Sequence, residues 1–104
     1  MSSLSASSGQ SHGMEFRDNE ARSRFELLDG DDVVAFADYV VSRGAVVLPH
    51  TEVDPAWRGK GLGALLVGRA LDELRRSGRQ VVPACWFVAE FIHANPDYQD
   101  LLAA

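Results

Sequence analysis

The chain is poor in cysteine, in long apolar runs and in basic residues, and each scarcity excludes a class of protein. It has 104 residues and one cysteine, so it forms no internal disulfide and needs no oxidising compartment for stability. No apolar run approaches the length of a membrane span, and no charged-then-apolar leader opens the sequence. These absences predict a soluble, cytoplasmic protein that does not interact with a membrane.

The charge balance argues against nucleic acid as a partner. The chain carries 15 acidic and 10 basic side chains, a formal net charge of -5, whereas nucleic-acid binding requires a basic surface that replaces counterions around phosphates. The three histidines and the cysteine are scattered at positions 12, 50, 93 and 85, without the close spacing of a zinc site. We therefore predict no metal.

The length allows one domain with one modest core. Residues 1–14 are rich in serine and have almost nothing to bury, so we expect a disordered tail and a single domain over residues 15–104. Short apolar runs around Phe25–Leu28, Val33–Val41 and Val46–Val53 predict three strands. Asp-Gly and Arg-Gly turns separate these runs and indicate an antiparallel meander.

A helix and a further strand follow the meander. Leucines at three- and four-residue spacing predict a helix over residues 62–77, and Gly78 is placed to end it. The sequence RQVVPAC, Arg79 to Cys85, predicts a fourth strand, and residues 86–94 a short second helix. The resulting order is β-β-β-α-β-α, an α+β fold in which strands three and four are parallel and joined by a right-handed crossover.

The glycine-rich turn RGKGLG, Arg58 to Gly63, stands between a strand and a helix. The first amides of a helix lack internal partners and lie at its positive end, and glycines let an anion approach them closely. A dinucleotide fingerprint requires an acidic residue at the end of the next strand, which here reads VVPAC. A P-loop requires a closing Gly-Lys-Ser/Thr, which is also missing. The turn therefore predicts a phosphate site of another type. The alternative is a flexible turn in which the glycines serve only the backbone geometry.

Three blocks in order carry a resemblance to a known family: HTEVDPAWRGKGLGALLV, VVPACWFVAEFI and NPDYQDLL. Arg58-x-x-Gly61-x-Gly63 resembles the acetyl-CoA signature of the GNAT acetyltransferase superfamily, and the blocks together resemble its small single-domain N-acetyltransferase-like proteins with a Pro-x-Cys strand. The resemblance implies a minimal GNAT-like domain on a mixed sheet. Typical members carry a further strand and two helices before the meander, where this chain has only a short segment.

The resemblance also implies a co-substrate and its binding residues. Acetyl-CoA, or coenzyme A, is expected to place its diphosphate on the loop and its pantetheine beside Val53, between two splayed parallel strands. The implied cofactor-binding residues are Val53, Arg58, Gly59, Lys60, Gly61, Leu62, Gly63 and Asn95.

Acetyl transfer to an amine requires a proton acceptor for the amine and a proton donor for the leaving thiolate. His50 and Glu52 share one face of strand three by two-residue alternation, so either is a candidate base, with a structural role as the alternative. Cys85 ends strand four near the expected acyl group. It is a candidate nucleophile or acid, or else a small buried apolar residue.

Three functions follow from these features. The leading hypothesis is an acetyl-CoA-dependent N-acetyltransferase whose acceptor amine, on a small molecule or a protein, is unknown. The alternative is a CoA- or acyl-CoA-binding module without turnover that acts through a protein partner, because the elements that build the acceptor side are missing. A pure interaction domain is the third, and an intact phosphate loop argues against it.

Overall fold

The computed structural model describes residues 14–103. The elements in chain order are strands β1 (Glu15–Asn19), β2 (Arg24–Asp29), β3 (Asp32–Ser42) and β4 (Ala45–Val53), helix α1 (Leu62–Arg76), strand β5 (Gln80–Val82) and helix α2 (Trp86–Ala94). Short 3-10 helices span Glu20–Arg22, Pro55–Trp57 and Pro96–Leu101. The expected disorder of residues 1–13 lies outside the described residues, and Met14 packs against the core.

The strands form one sheet in the order β1-β2-β3-β4-β5. Strands β1 to β4 pair antiparallel, and β5 pairs parallel with β4, which confirms the predicted α+β fold with a mixed sheet and a β-α-β crossover. The meander has one strand more than predicted. Sequence reasoning missed β1 because this five-residue strand, EFRDN, has a single apolar side chain, Phe16.

The two predicted hairpin turns, between β2 and β3 and between β3 and β4, are where the glycines predict them. Ser42 and Ala45 pair across a two-residue turn in which Arg43 has φ 54° and Gly44 has φ 85°. Positive φ at both central positions gives the turn that matches the right-handed twist of strands. These turns fix the register that decides which side chains share a face.

Both helices cover the same face of the sheet. Cross-strand partners share a face, so Phe25, Ala37 and Thr51 lie on one side of the sheet, as do Leu27, Ala35 and Val53. The buried residues of α1 join this side in one core; they are Leu62, Leu66, Val67, Ala70, Leu71 and Leu74. Val88 and Ile92 of α2 belong to the same core. We call the opposite side the open face.

Strands β4 and β5 separate after a short parallel pairing. They pair only over Ala45–Val47 and Gln80–Val82, although β4 continues to Val53. The predicted fourth strand therefore ends early, because Pro83 has no N–H for the ladder. The Cys85 amide donates to the Leu48 carbonyl at 2.8 Å. Beyond that bond, a gap separates residues 49–53 of β4 from the start of α2, and we call it the β4–β5 gap.

The C-terminal segment is tied to α1. Arg75 donates to Asp100 through two nitrogens at 2.8 and 2.9 Å, and Tyr98 donates to Asp72 at 2.8 Å. Leu102 forms a parallel bridge with Val81, so the last described residues cover the outer edge of β5. Within residues 14–103, no helix has the length and apolar character needed to cross a bilayer.

Candidate functional site

Helix α1 begins without a side-chain cap. Its N-cap residue is Gly61, with φ 75° and no side-chain hydrogen bond, and the first amide that bonds back to the loop is that of Leu65, to the Gly61 carbonyl at 3.1 Å. The preceding amides of Leu62, Gly63 and Ala64 make no hydrogen bond to another described residue. A Ser, Thr, Asp or Asn side chain is preferred at the N-cap position, where it accepts a hydrogen bond from one of these donors. Here they remain available at the positive end of the helix.

These amides border an open cavity of about 310 Å³. Its lining comprises the loop and the first turn of α1 together with Val53, Trp57 and Phe87. The Cζ atom of Phe87 stands 3.0 Å from the point where a β-carbon on Gly63 would lie. Because position 63 has no side chain, the Phe87 ring can lie against it and α2 can approach α1 closely. The arrangement suits an elongated ligand with an anionic group at the amides.

The β4 backbone turns its polar groups alternately toward β3 and toward the β4–β5 gap. The Asp54 amide bonds to the Val34 carbonyl of β3 at 2.8 Å. By alternation, the amides and carbonyls of Thr51 and Val53 point into the gap. The Val53 carbonyl accepts a hydrogen bond from Arg58 Nε at 3.2 Å. A ligand strand that pairs with the Val53 carbonyl would have to displace this exposed guanidinium.

Cys85 is the N-cap residue of α2, and its thiol lies beside Thr51. The Sγ–Oγ1 distance is 3.8 Å. Partial burial raises the pKa of the Cys85 thiol, but the nearby Val88 amide, the Thr51 hydroxyl and the nearby Phe87 and Thr51 amides together hold this pKa below its ordinary value. A helix N-terminus commonly has this effect on a cysteine. The Cys85 thiol thus loses its proton at a lower pH than an ordinary cysteine does.

His50 and Glu52 form a pair on the open face. His50 Nε2 lies 3.0 Å from Glu52 Oε1, and about half of each side chain is exposed. Their shared face is as predicted. The side chain of Thr51, and with it Cys85, lies on the helix side of β4. The structure therefore brings His50 and Glu52 together and places Cys85 across the strand from them, so His50 does not activate the cysteine directly.

The other predicted residues divide into two groups. Val53, Arg58, Gly59, Gly61, Leu62 and Gly63 line the cavity, and Lys60 is exposed on the loop. Asn95 lies elsewhere: it ends α2, and its Nδ2 donates to the Phe91 carbonyl at 2.8 Å. The helices run side by side, with Phe87 near Gly63 and Phe91 near Gly68. Asn95 is thus at the end of α2 remote from the loop.

Sequence reasoning missed two residues of this site. Phe87 lies in the predicted second helix, where an apolar side chain indicates packing on the sheet, and it also forms a wall of the cavity. Thr51 was not singled out, yet it contacts the Cys85 thiol. The available signal for Thr51 was its alternation with Val53, which puts both on one face of β4. In the part of the chain that the structure describes, no group of three or more His, Cys, Asp or Glu side chains is arranged to hold a metal ion.

A splayed β4–β5 pair, an uncapped glycine loop and a cavity between them define a domain of the acetyltransferase type. A family model described as GCN5-related N-acetyl-transferase matches residues 24–101. The chain belongs to this family, and the resemblance in its sequence is confirmed.

Two vertebrate relatives illustrate the extent of the similarity. Protein NATD1 of Bos taurus is 36% identical over 66 residues, which is 64% of this chain and 58% of the bovine protein. Protein NATD1 of Mus musculus is 33% identical over 81 residues, 76% of this chain and 73% of the mouse protein. The matched segment thus spans somewhat more than half of the bovine relative.

Solved structures confirm the fold. The NMR structure of a GCN5-like protein from Staphylococcus aureus superposes with a TM-score of 0.65 at 22% identity, covering 86% of this chain and 88% of that one. The ribosomal-protein-S18-alanine N-acetyltransferase from Escherichia coli gives a TM-score of 0.56 at 27% identity, over 70% of this chain and 50% of that one. This chain therefore has the GNAT fold.

Proposed function

We propose that the protein transfers an acetyl group from acetyl-CoA to an amine acceptor. The observation that carries this proposal is the row of unbonded amides at Leu62, Gly63 and Ala64, which opens onto the cavity beside the β4–β5 gap. Family membership supports acetyl transfer in general. The loop residues Arg58 to Gly63 would hold the coenzyme diphosphate, and Val53 would lie beside the pantetheine. Asn95 would not contact the diphosphate, because it lies at the end of α2 remote from the loop and its side chain bonds to the Phe91 carbonyl.

The positions of the candidate groups favour direct transfer. His50 and Glu52 lie on the open face of β4, whereas Cys85 borders the gap from the helix side. An acetyl group in the gap thus has a base on one side and a thiol on the other. The amine nitrogen forms a bond to the thioester carbon, and the amine proton passes to the His50–Glu52 pair. The carbon–sulfur bond breaks, and the coenzyme thiolate takes the Cys85 proton.

The amides at the start of α2 favour Cys85 as the proton donor. They stabilise the Cys85 thiolate that remains after proton transfer, which is consistent with the lowered pKa of its thiol. The thiolate then regains a proton from solvent. A covalent relay through acetyl-Cys85 is less well supported, because β4 stands between that sulfur and the proposed base.

Transfer of label from acetyl-CoA to amine and peptide acceptors tests the proposal. We expect turnover above the uncatalysed background, with Cys85→Ala lowering kcat by about 10²- to 10⁴-fold, the usual contribution of a positioned acid, and changing acetyl-CoA binding little. An acetyl adduct on Cys85 in the intact mass would favour the relay. CoA binding without any transfer would favour the alternative, a binding module that acts through a partner.

The composition supports a cytoplasmic reaction on a non-nucleic-acid acceptor. The single cysteine requires no oxidising compartment. The net charge of -5 disfavours a polyanionic acceptor, because a basic surface is needed to replace its counterions.

A further inference from the structure

The open face contains a carboxylate that the proposed mechanism does not use. Glu26 in the middle of β2 is fully buried, although it lies on the side of the sheet away from both helices. Three side chains cover it: Arg17 Nε binds its Oε1 at 2.7 Å, Arg24 Nε binds its Oε2 at 2.6 Å, and Asn19 Nδ2 binds Oε2 at 3.1 Å. A charge is buried in this way only when it is well paired.

Each arginine binds Glu26 through one nitrogen and keeps its remaining donors available. Neither guanidinium uses an Nη atom in a hydrogen bond to another described residue. A purely structural arginine–carboxylate pair is frequently bidentate. Here the single contact through Nε orients each guanidinium group. It leaves the two Nη atoms, the outer nitrogens, to donate to another acceptor. The cluster has two positive charges against one negative, on a chain whose net charge is -5.

Arg24 is held in place by a second contact. Its guanidinium carbon lies 4.4 Å from the centroid of the Phe36 ring, and only 19% of its side chain is exposed. Stacking on an aromatic face restrains the guanidinium plane. The conformational freedom that a surface arginine loses on binding an anion is therefore already restricted in Arg24.

The strand register aligns this cluster with the proposed base. Two rows cross the open face: Arg17, Glu26, Phe36 and Glu52 form one, and Asn19, Arg24, Asp38 and His50 form the other. The arginines lie on β1 and β2, and the carboxylates Asp38 and Glu52 lie on β3 and β4. Two strand spacings of about 4.8 Å separate β2 from β4, a span of roughly 10 Å. The face thus has a cationic side and, next to the gap, an anionic side.

We propose that Arg17 and Arg24 form the anion-recognition half of the acceptor site, so that the preferred acceptor is an amine bearing a carboxylate or phosphate about 10 Å from its nitrogen. The amine would lie between Asp38, Glu52 and His50, and the anion would bind the outer guanidinium nitrogens. This inference rests on the proposed function, and it names the acceptor class which that function leaves open. A short peptide with a free C-terminus spans this distance with about three extended residues.

Matched acceptors test the charge requirement. Triglycine and triglycine amide differ only in the terminal carboxylate, and aminohexyl phosphate and hexylamine differ in the phosphate. We expect kcat/KM to be at least about tenfold higher for the anionic member of one pair or both, and the pair with the larger ratio identifies the source of the anion. Arg24→Lys should lower this ratio of kcat/KM values, anionic over neutral acceptor, several-fold, because lysine lacks the paired donors of the guanidinium group. Arg69→Lys, on the exposed side of α1, is the control and should leave the ratio unchanged.

Binding without transfer separates this inference from the proposed function. In the protein labelled at arginine nitrogens, inorganic phosphate and triglycine are titrated without acetyl-CoA while the Nε–H signals are followed by NMR. Selective shifts at Arg17 and Arg24 would support the site even if no acetyl transfer occurs. Equal shifts at all arginines, or equal kcat/KM values within both acceptor pairs, would overturn it. Thermal unfolding of Arg24→Lys checks that the variant is folded.

Discussion

The sulfur of Cys85 lies 3.8 Å from the Thr51 hydroxyl, at the point where β5 has left β4 and α2 begins. The contact joins the capping residue of a helix to the strand that a thioester ligand would follow. Because this is the chain's one cysteine, its chemistry can be measured without interference from other thiols.

The alkylation of Cys85 by iodoacetamide should show a lowered thiol pKa. The alkylation rate rises with the thiolate fraction, so its pH midpoint should lie below about 8.5, the ordinary value for a cysteine. Thr51→Val removes the hydroxyl hydrogen bond and should move the pH midpoint upward. The midpoint should still stay below that of an ordinary cysteine, because the α2 amides remain. A midpoint at or above about 8.5 in the unsubstituted protein would contradict the role given to the helix N-terminus.

Two glycines of α1 should respond oppositely to alanine. A β-carbon at Gly68 meets Phe91 Cζ at 3.5 Å, an ordinary contact, whereas at Gly63 it meets Phe87 Cζ at 3.0 Å. Gly68→Ala should raise the free energy of unfolding by about 0.5–1 kcal/mol through helix propensity. Gly63→Ala should lower it, because overpacking typically costs about 1–3 kcal/mol.

Urea unfolding measures both glycine variants. In a Phe87→Leu background the clash at position 63 is relieved, so Gly63→Ala should become neutral or stabilising relative to that background. An equal gain from both alanines in the unsubstituted protein would show that α2 does not approach α1 at Gly63 as described.

Glu26 should give the fold a specific acid sensitivity. Burial raises the pKa of Glu26, but the hydrogen bonds from Arg24, Arg17 and Asn19 outweigh it and hold this pKa below its ordinary 4.5. A carboxyl group with a lowered folded-state pKa stabilises the fold above its unfolded-state pKa. That contribution is lost as pH falls from about 4.5 through the lower folded-state value.

Glu26→Gln should therefore lower the free energy of unfolding at neutral pH by about 1–3 kcal/mol, since buried partners lose a charged acceptor. The difference from the unsubstituted protein should shrink below pH 4.5. Glu73→Gln is the control: Glu73 pairs with Arg76 on the surface of α1, and its loss should cost no more than about 0.5 kcal/mol. Equal losses in the two variants would show that the Glu26 cluster contributes no more than a surface pair.

The sequence predicted the parts of the fold that depend on local chemistry. The Asp-Gly and Arg-Gly pairs predicted the turns on either side of β3, and the leucine spacing predicted α1. The glycine loop indicated that the first amides of this helix are uncapped. The sequence did not predict β1, because a short strand with one apolar residue has too weak a pattern. Nor did it predict that β4 separates Cys85 from His50, since that depends on where two distant strands diverge. The Arg17–Glu26–Arg24 cluster likewise depends on cross-strand register, which joins residues that the sequence alone does not align.

Calorimetric titration with CoA tests most directly whether the α1 amides bind a diphosphate. The unsubstituted protein should bind CoA, and Gly61→Asp should weaken binding at least about tenfold, which is 1.4 kcal/mol. Gly61→Asn is the matched control: it has the same shape and a similar tolerance of the left-handed conformation at φ 75° but no charge. It should retain most of the affinity. No binding of CoA at millimolar concentration, or equal affinities for the Asp and Asn variants, would contradict the account.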